Sequence, residues 1–199
     1  MTANEAKRIG GILLAAGGSS RFGRPKQLEE FQGVSLVRRA ADALINSACD
    51  PVIAVLGAAS ENVKAEIEEL PINICINQKW RDGASTSIKT GLAELLNLEP
   101  ELAGTLIMLC DQPLVISPDI DRLLSEFCRT GNGIVAAQYR EIAGAPAVFG
   151  RAFFSDLLSL SGDQGARGII RSNKHQLRTI EMEHVGFDID TPDDVTKHL

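Results

Sequence analysis

The chain has 199 residues, 44% of them hydrophobic and 23% charged, with a formal net charge of −6. Such a chain can bury one sizeable core, and its acidic balance excludes a general affinity for nucleic acid or an anionic membrane surface. No apolar run approaches the roughly 20 residues of a membrane span, the start MTANEAKR is too polar for a signal peptide, and four scattered cysteines without a CxxC pair point to reduced thiols in the cytoplasm.

Residues 1–7 read as a disordered tail. Ile9 to Ala15 then forms a short, continuously apolar run, as in a strand covered on both faces. Ser35 is placed to cap a helix whose apolar stripe is Leu36, Ala40, Leu44 and Ala48. Pro51 to Leu56 reads as a second buried strand, Ser60 to Glu69 as a polar helix and Ile72 to Ile76 as a third strand. A helix starting between Ala84 and Ser87 buries Ile88, Leu92, Leu95 and Leu96. Thr105 to Cys110 is the most hydrophobic strand and is expected at the sheet centre. A helix from Pro118 follows, then strands at Ile134 to Gln138 and Ala147 to Phe149. Strand and helix alternate without repeats, which predicts a single α/β domain over residues 1–199, three-layered, with a mainly parallel Rossmann-like sheet. Ligands of such sheets bind beyond the carboxyl ends of the strands, so chemistry is sought after Ala15, Ile76 and Cys110.

Directly after the first strand stand Ala16, Gly17, Gly18, Ser19, Ser20, Arg21, Phe22, Gly23, Arg24, Pro25 and Lys26. Glycines let backbone amides approach an anion closely, and Arg and Lys neutralise it. The dinucleotide pattern GxGxxG does not fit the glycine spacing. The phosphate-loop pattern GxxxxGK[ST] fits Gly18 and Gly23 but fails at Arg24 and Pro25, where a metal-binding hydroxyl would be required. A solvated surface turn is the plain alternative.

The run from Leu14 to Leu28 closely resembles the signature loop of the nucleotidyltransferase superfamily that includes the molybdenum cofactor nucleotidyltransferases, and the resemblance extends from Ile12 to about Val195. It implies that Leu14, Ala15, Ala16, Gly17 and Gly18 wrap the base and sugar of a nucleotide. It further implies that Arg21 and Lys26 hold the triphosphate. A compact cation such as Lys26 suits the charge that builds up on an α-phosphate under attack.

Asp111, in Cys110-Asp111-Gln112-Pro113, either caps a turn before the proline or binds Mg²⁺, a hard cation that takes few protein carboxylates beside phosphate oxygens. The resemblance implies the second role, with Mn²⁺ as an alternative metal. Thr191, Pro192, Asp193 and Asp194 make a good helix start. That leaves Asp188 and Asp190, alternating on an extended segment. The resemblance makes Asp190, and more weakly Asp188, the second metal ligand, and Asp188 is also a candidate on the acceptor side. Asn77, Trp80, Gly83 and Ser87 match a family pattern that positions base and ribose, from which Asn77, Gly83 and Ser87 are taken as candidates. Plain helix capping would explain one of the hydroxyls there. Gly162 to Arg167 matches a pattern of the cytidylyltransferase branch on the acceptor side, so Gly165 and Arg167 are candidates for an anionic acceptor, or else part of an ordinary loop before a helix.

The implied reaction transfers CMP from CTP to the phosphate of a molybdopterin-type acceptor and releases pyrophosphate. The implied partner is a molybdoenzyme or its chaperone. Catalytic work would fall to Lys26, Arg21 and Asp111. A methyl at Ala16 favours a pyrimidine over guanine, where the guanylyltransferase branch usually carries glycine. Alternatives are GTP-using transfer to molybdopterin, and cytidylyl or uridylyl transfer to methylerythritol phosphate or a sugar phosphate. From other classes, a silent nucleotide-binding protein is opposed by Lys26 and Asp111 together, and a hydrolysing NTPase by the missing Lys-Ser/Thr.

Overall fold

The computed structural model describes residues 7–19, 22–131 and 133–196. The chain runs through β1 (Ile9–Ala15), β2 (Glu30–Phe31), β3 (Val34–Ser35), α1 (Leu36–Ile45), β4 (Val52–Leu56), α2 (Ser60–Ala65), β5 (Asn73–Ile76) and α3 (Ala84–Leu98). It continues with β6 (Gly104–Leu109), α4 (Ser117–Thr130), β7 (Ile134–Tyr139), β8 (Ile142–Gly150), α5 (Phe154–Ser159), α6 (Arg167–Ser172), β9 (Leu177–Glu181) and α7 (Pro192–Thr196). Residues 1–6 of the proposed tail, with Ser20, Arg21, Asn132 and residues 197–199, lie outside the described residues, while Lys7 is described, its ammonium 5.8 Å from the Phe127 ring centre.

Seven strands form one sheet in the order β5-β4-β1-β6-β8-β7-β9, with β2 and β3 as a separate small hairpin. All pairings in the large sheet are parallel except the two made by β8. As its apolarity predicts, β6 is the central strand. The alternation of side chains along β1 divides the core into two layers. Leu13 and Ala15 pack with Ala40, Ala41 and Leu44 of α1, whereas Ile12 packs with Ile88, Leu92 and Leu95 of α3. Both layers bury residues to 0% exposure, which explains why β1 reads as an unbroken apolar run and β6 as one interrupted only by the buried Thr105.

Several boundaries differ from those expected by a residue or more, and α1 ends at Ile45, which leaves Ala48 of its expected stripe exposed beyond the helix. The helix expected to reach Glu69 ends at Ala65 and continues as turns, because only Val63 and Ile67 of that segment are fully buried and the rest has no apolar face to dock. The strand expected at Ala147 to Phe149 extends back to Ile142 in a tight hairpin with β7, and β9, an edge strand with a half-polar pattern, carried no recognisable signal.

Successive connections carry the chain from β1 outward to β4 and β5, then back across β1 to β6. The loops leaving β1 and β6 therefore part in opposite directions and leave a crevice between two neighbouring parallel strands, the place where open α/β sheets bind ligands. Among the described residues no helix is long and apolar enough to cross a membrane.

Candidate functional site

The crevice between the ends of β1 and β6 opens into a cleft of about 630 Å³. One wall is the loop after β1, where Leu14, Ala16, Gly17, Gly18 and Ser19 border the space. This loop is held from below by a polar side chain. Gln27 is 2% exposed, and its Nε2 donates to the carbonyl oxygens of Ala15 at 3.0 Å and Gly17 at 2.7 Å. Ser19 Oγ accepts from the Lys26 amide at 3.0 Å and donates to Gln27 Oε1 at 3.3 Å, which closes the loop on itself.

The opposite wall comes from the loop before α3. Trp80 lies so close to Gly18 that a Cβ there would sit 2.7 Å from the indole, and the Arg81 guanidinium stacks 4.2 Å from the Trp80 ring centre. Gly83 has φ +109°, and a Cβ on it would lie 2.2 Å from the Gly162 carbonyl. Only glycine fits both that backbone and that approach. The contact brings the Gly162–Asp163 loop onto the cleft, where Asp163 joins the lining and the Ser85 amide donates to Gly162 O at 3.2 Å.

The charged centre lies at the mouth of the crevice. Lys26 Nζ is 2.7 Å from Asp111 Oδ2 and 3.2 Å from Asp190 Oδ1. Asp111 follows β6 directly, and its carbonyl accepts from the Ile189 amide at 2.9 Å. With the side chain of Ile189 fully buried, this bond pins the C-terminal segment so that Asp190 faces the same lysine. Burial works to lower the Lys26 ammonium, but Asp111, by charge and hydrogen bond, and Asp190 outweigh it and hold the pKa above its ordinary value. Asp188 belongs to the same acidic corner: loss of hydration first, then the Asp111 charge, pushes its carboxyl up to about 6, against the Gln112 side chain and Lys26, which favour the ionised form.

The carboxylates meet the requirements of a hard divalent cation. Asp111 Oδ1 is buried and has no hydrogen-bond partner, an acceptor in want of a positive neighbour. Among the described residues no three or more His, Cys, Asp or Glu side chains form a metal-holding group. The protein would thus give Asp111 and Asp190, leaving the remaining positions to phosphate oxygens and water, the usual manner of Mg²⁺ and its relatives.

Of the residues singled out above, Leu14, Ala16, Gly17, Gly18, Lys26, Gly83, Ser87, Asp111 and Asp190 border one cleft. Arg21 lies outside the described residues. Ala15 is buried behind the wall, reached only through its carbonyl. Asn77 is also behind it: its Nδ2 donates to Thr86 Oγ1 at 2.8 Å and Ser87 Oγ at 3.0 Å, and its Oδ1 accepts from the Lys79 amide, so it shapes the start of α3. Gly165 and Arg167 border a separate hollow of about 450 Å³ beside α5 and α6. Sequence reasoning passed over Gln27, Arg81 and Asp163 as cleft residues. Gln27 had one available signal, a polar residue between the cleft lysine and the apolar Leu28.

Residues 11–179 match the family model of the MobA-like NTP transferase domain, and the chain belongs to that family. The nicotine blue oxidoreductase of Paenarthrobacter nicotinovorans is 32% identical, with 96% of each chain covered. A probable molybdenum cofactor guanylyltransferase of Bacillus cytotoxicus is 29% identical over 60% of this chain and 57% of its own. Among solved structures, Rv0371c of Mycobacterium tuberculosis H37Rv superposes with a TM-score of 0.82 at 28% identity, covering 96% of this chain and 97% of that one. The same protein has been solved in complex with manganese, with a TM-score of 0.80, 28% identity and 96% and 98% coverage.

Proposed function

We propose that this MobA-like NTP transferase moves CMP from CTP to the phosphate of a molybdopterin-type acceptor, in the cytoplasm, with the whole chain acting as one domain. The observation that carries the reading is Lys26 between Asp111 and Asp190 at the mouth of a glycine-walled crevice. A phosphate oxygen of the acceptor attacks the α-phosphorus of CTP, the new P–O–P bond forms, and the bond to pyrophosphate breaks. An acceptor phosphate is already anionic near neutral pH, so the reaction needs no strong general base. Lys26 holds its proton and neutralises charge on the transferring phosphate, and Arg21 helps to hold the triphosphate. A divalent cation, Mg²⁺ or Mn²⁺, held by Asp111 and Asp190 would neutralise the triphosphate. Leu14, Ala16, Gly17 and Gly18 border base and sugar, with Ala15 and Asn77 supporting and Gly83 and Ser87 closing the far side. Asp188, Gly165 and Arg167 serve the acceptor. A molybdoenzyme or its chaperone receives the product.

CTP is favoured because Ala16, which borders the cleft, stands where the guanylyltransferase branch usually carries glycine. The guanylyltransferase relative favours GTP as the second reading, and the oxidoreductase relative a reaction of another class. The test is a panel of CTP, GTP, UTP and ATP against molybdopterin, methylerythritol phosphate and a sugar phosphate, read by pyrophosphate release. CTP with molybdopterin should turn over fastest. Preference for GTP would move the assignment to the guanylyl branch, and nucleotide-independent dye reduction would replace the transferase reading.

A further inference from the structure

We infer that Gln27 is a positioning residue that sets the loop after β1 in its nucleotide-receiving shape. Both hydrogens of its buried amide are committed to carbonyls two residues apart, Ala15 O and Gly17 O. The intervening carbonyl, Ala16 O, is drawn the other way by the Ala58 amide at 3.1 Å. These peptide bonds are trans, so each C=O and the following N–H point in opposite directions. Gln27 therefore turns the amides of Ala16 and Gly18 away from itself, and Ala58 turns that of Gly17. Among the described residues no group accepts from these three amides, and all three residues border the cleft. The unpaired amides of Ala16 and Gly18, turned to one side of a small-residue loop, are donors prepared for a ligand rich in acceptor oxygens and nitrogens, such as a nucleoside triphosphate. Ser19 completes the brace by binding both Gln27 Oε1 and the Lys26 amide, which couples loop shape to the lysine.

A purely structural glutamine would stabilise the fold and leave ligand affinity alone. Gln27→Met keeps the length and removes both donors. The inference rests on the nucleotide reading of the cleft, and one readout is independent of it: Trp80, the chain's one tryptophan, packs on Gly18. In the ligand-free protein Gln27→Met should increase acrylamide quenching of Trp80. In the folded variant it should weaken CTP binding by about ten- to a hundredfold, with KM for CTP rising far more than KM for the acceptor. Unchanged CTP affinity in a folded variant overturns the inference. Should Gln27→Met fail to fold, Ser19→Ala decides: it leaves both Nε2 bonds and releases the brace, so CTP binding should weaken by about three- to tenfold, and wild-type affinity overturns the inference. A wild-type protein that binds none of the four nucleotides overturns the nucleotide reading instead; Trp80 quenching in Gln27→Met then decides alone whether Gln27 sets the loop.

Discussion

Lys26→Ala should move two measurements in opposite directions. In the ligand-free protein Lys26 satisfies the two carboxylates that a cation would use, at 2.7 and 3.2 Å. At an effective dielectric constant of about 20 these separations correspond to roughly 6 and 5 kcal/mol of gross attraction. Desolvation of three part-buried groups offsets most of it, and the Asp190 contact, with its side chain 42% exposed, is further screened by water. A net of about 1.5–3 kcal/mol remains for a hydrogen-bonded charge. Without nucleotide, Mn²⁺ has to displace this lysine. Removing it should therefore tighten Mn²⁺ binding by about ten- to a hundredfold, measured by calorimetry or by the Mn²⁺ paramagnetic signal. Pyrophosphate release should meanwhile fall by about 10²–10³-fold, the usual loss when one charge-stabilising group leaves a transition state. Because the folded-state pKa of Lys26 is raised, its stabilising contribution is complete below its ordinary value of 10.5 and is lost as pH rises through the folded value. The titration of Lys26 itself should thus add no pH dependence to wild-type stability across neutral pH. Unchanged Mn²⁺ affinity together with retained turnover would refute the reasoning.

Asp111→Asn keeps the shape but removes the buried charge, and should abolish Mn²⁺ binding in the ligand-free protein and lower turnover at least about 10²-fold; a wild-type metal titration would contradict it. Gly83→Ala combines φ +109° with a 2.2 Å approach to Gly162 and should cost about 2–4 kcal/mol in urea unfolding. Burial pushes the thiols of Cys49, Cys75 and Cys110 up to about 12, whereas Cys128 is exposed, so a disulfide reagent at pH 8 should titrate one fast thiol in the native protein. Folded thiols that hold their protons above the ordinary value of 9.0 also make stability fall as pH rises from about 9 toward 12, which alkaline melting curves will register.

The framework was legible because β1, β4 and β6 are covered on both faces and so are apolar throughout, Thr105 of β6 excepted. Their order was not: nothing in Thr105 to Cys110 says that this strand lies beside β1, and that adjacency alone brings Asp111 to Lys26. The acidic pair near the C-terminus could be suspected from its alternation, yet its place depends on the Ile189 amide reaching Asp111 O. Gln27 gave only the signal of a polar residue beside Leu28, because a glutamine becomes a brace only when two carbonyls turn toward it. Asn77 shows the reverse. Its pattern suggested a part in positioning base and ribose, and its side-chain bonds go to Lys79, Thr86 and Ser87, at the start of α3. The Gly162 to Arg167 run splits in space: Asp163 reaches the cleft through the close approach at Gly83, while Gly165 and Arg167 border another hollow. β9 escaped notice since an edge strand with exposed polar residues has no alternation to betray it.

The most direct test of nucleotidyl transfer is metal-dependent release of pyrophosphate from CTP in the presence of molybdopterin, with the product followed by mass. The account predicts one pyrophosphate per CMP-bearing product and none without acceptor. Release of inorganic phosphate alone, or no pyrophosphate with any nucleotide and phosphorylated acceptor, would contradict it.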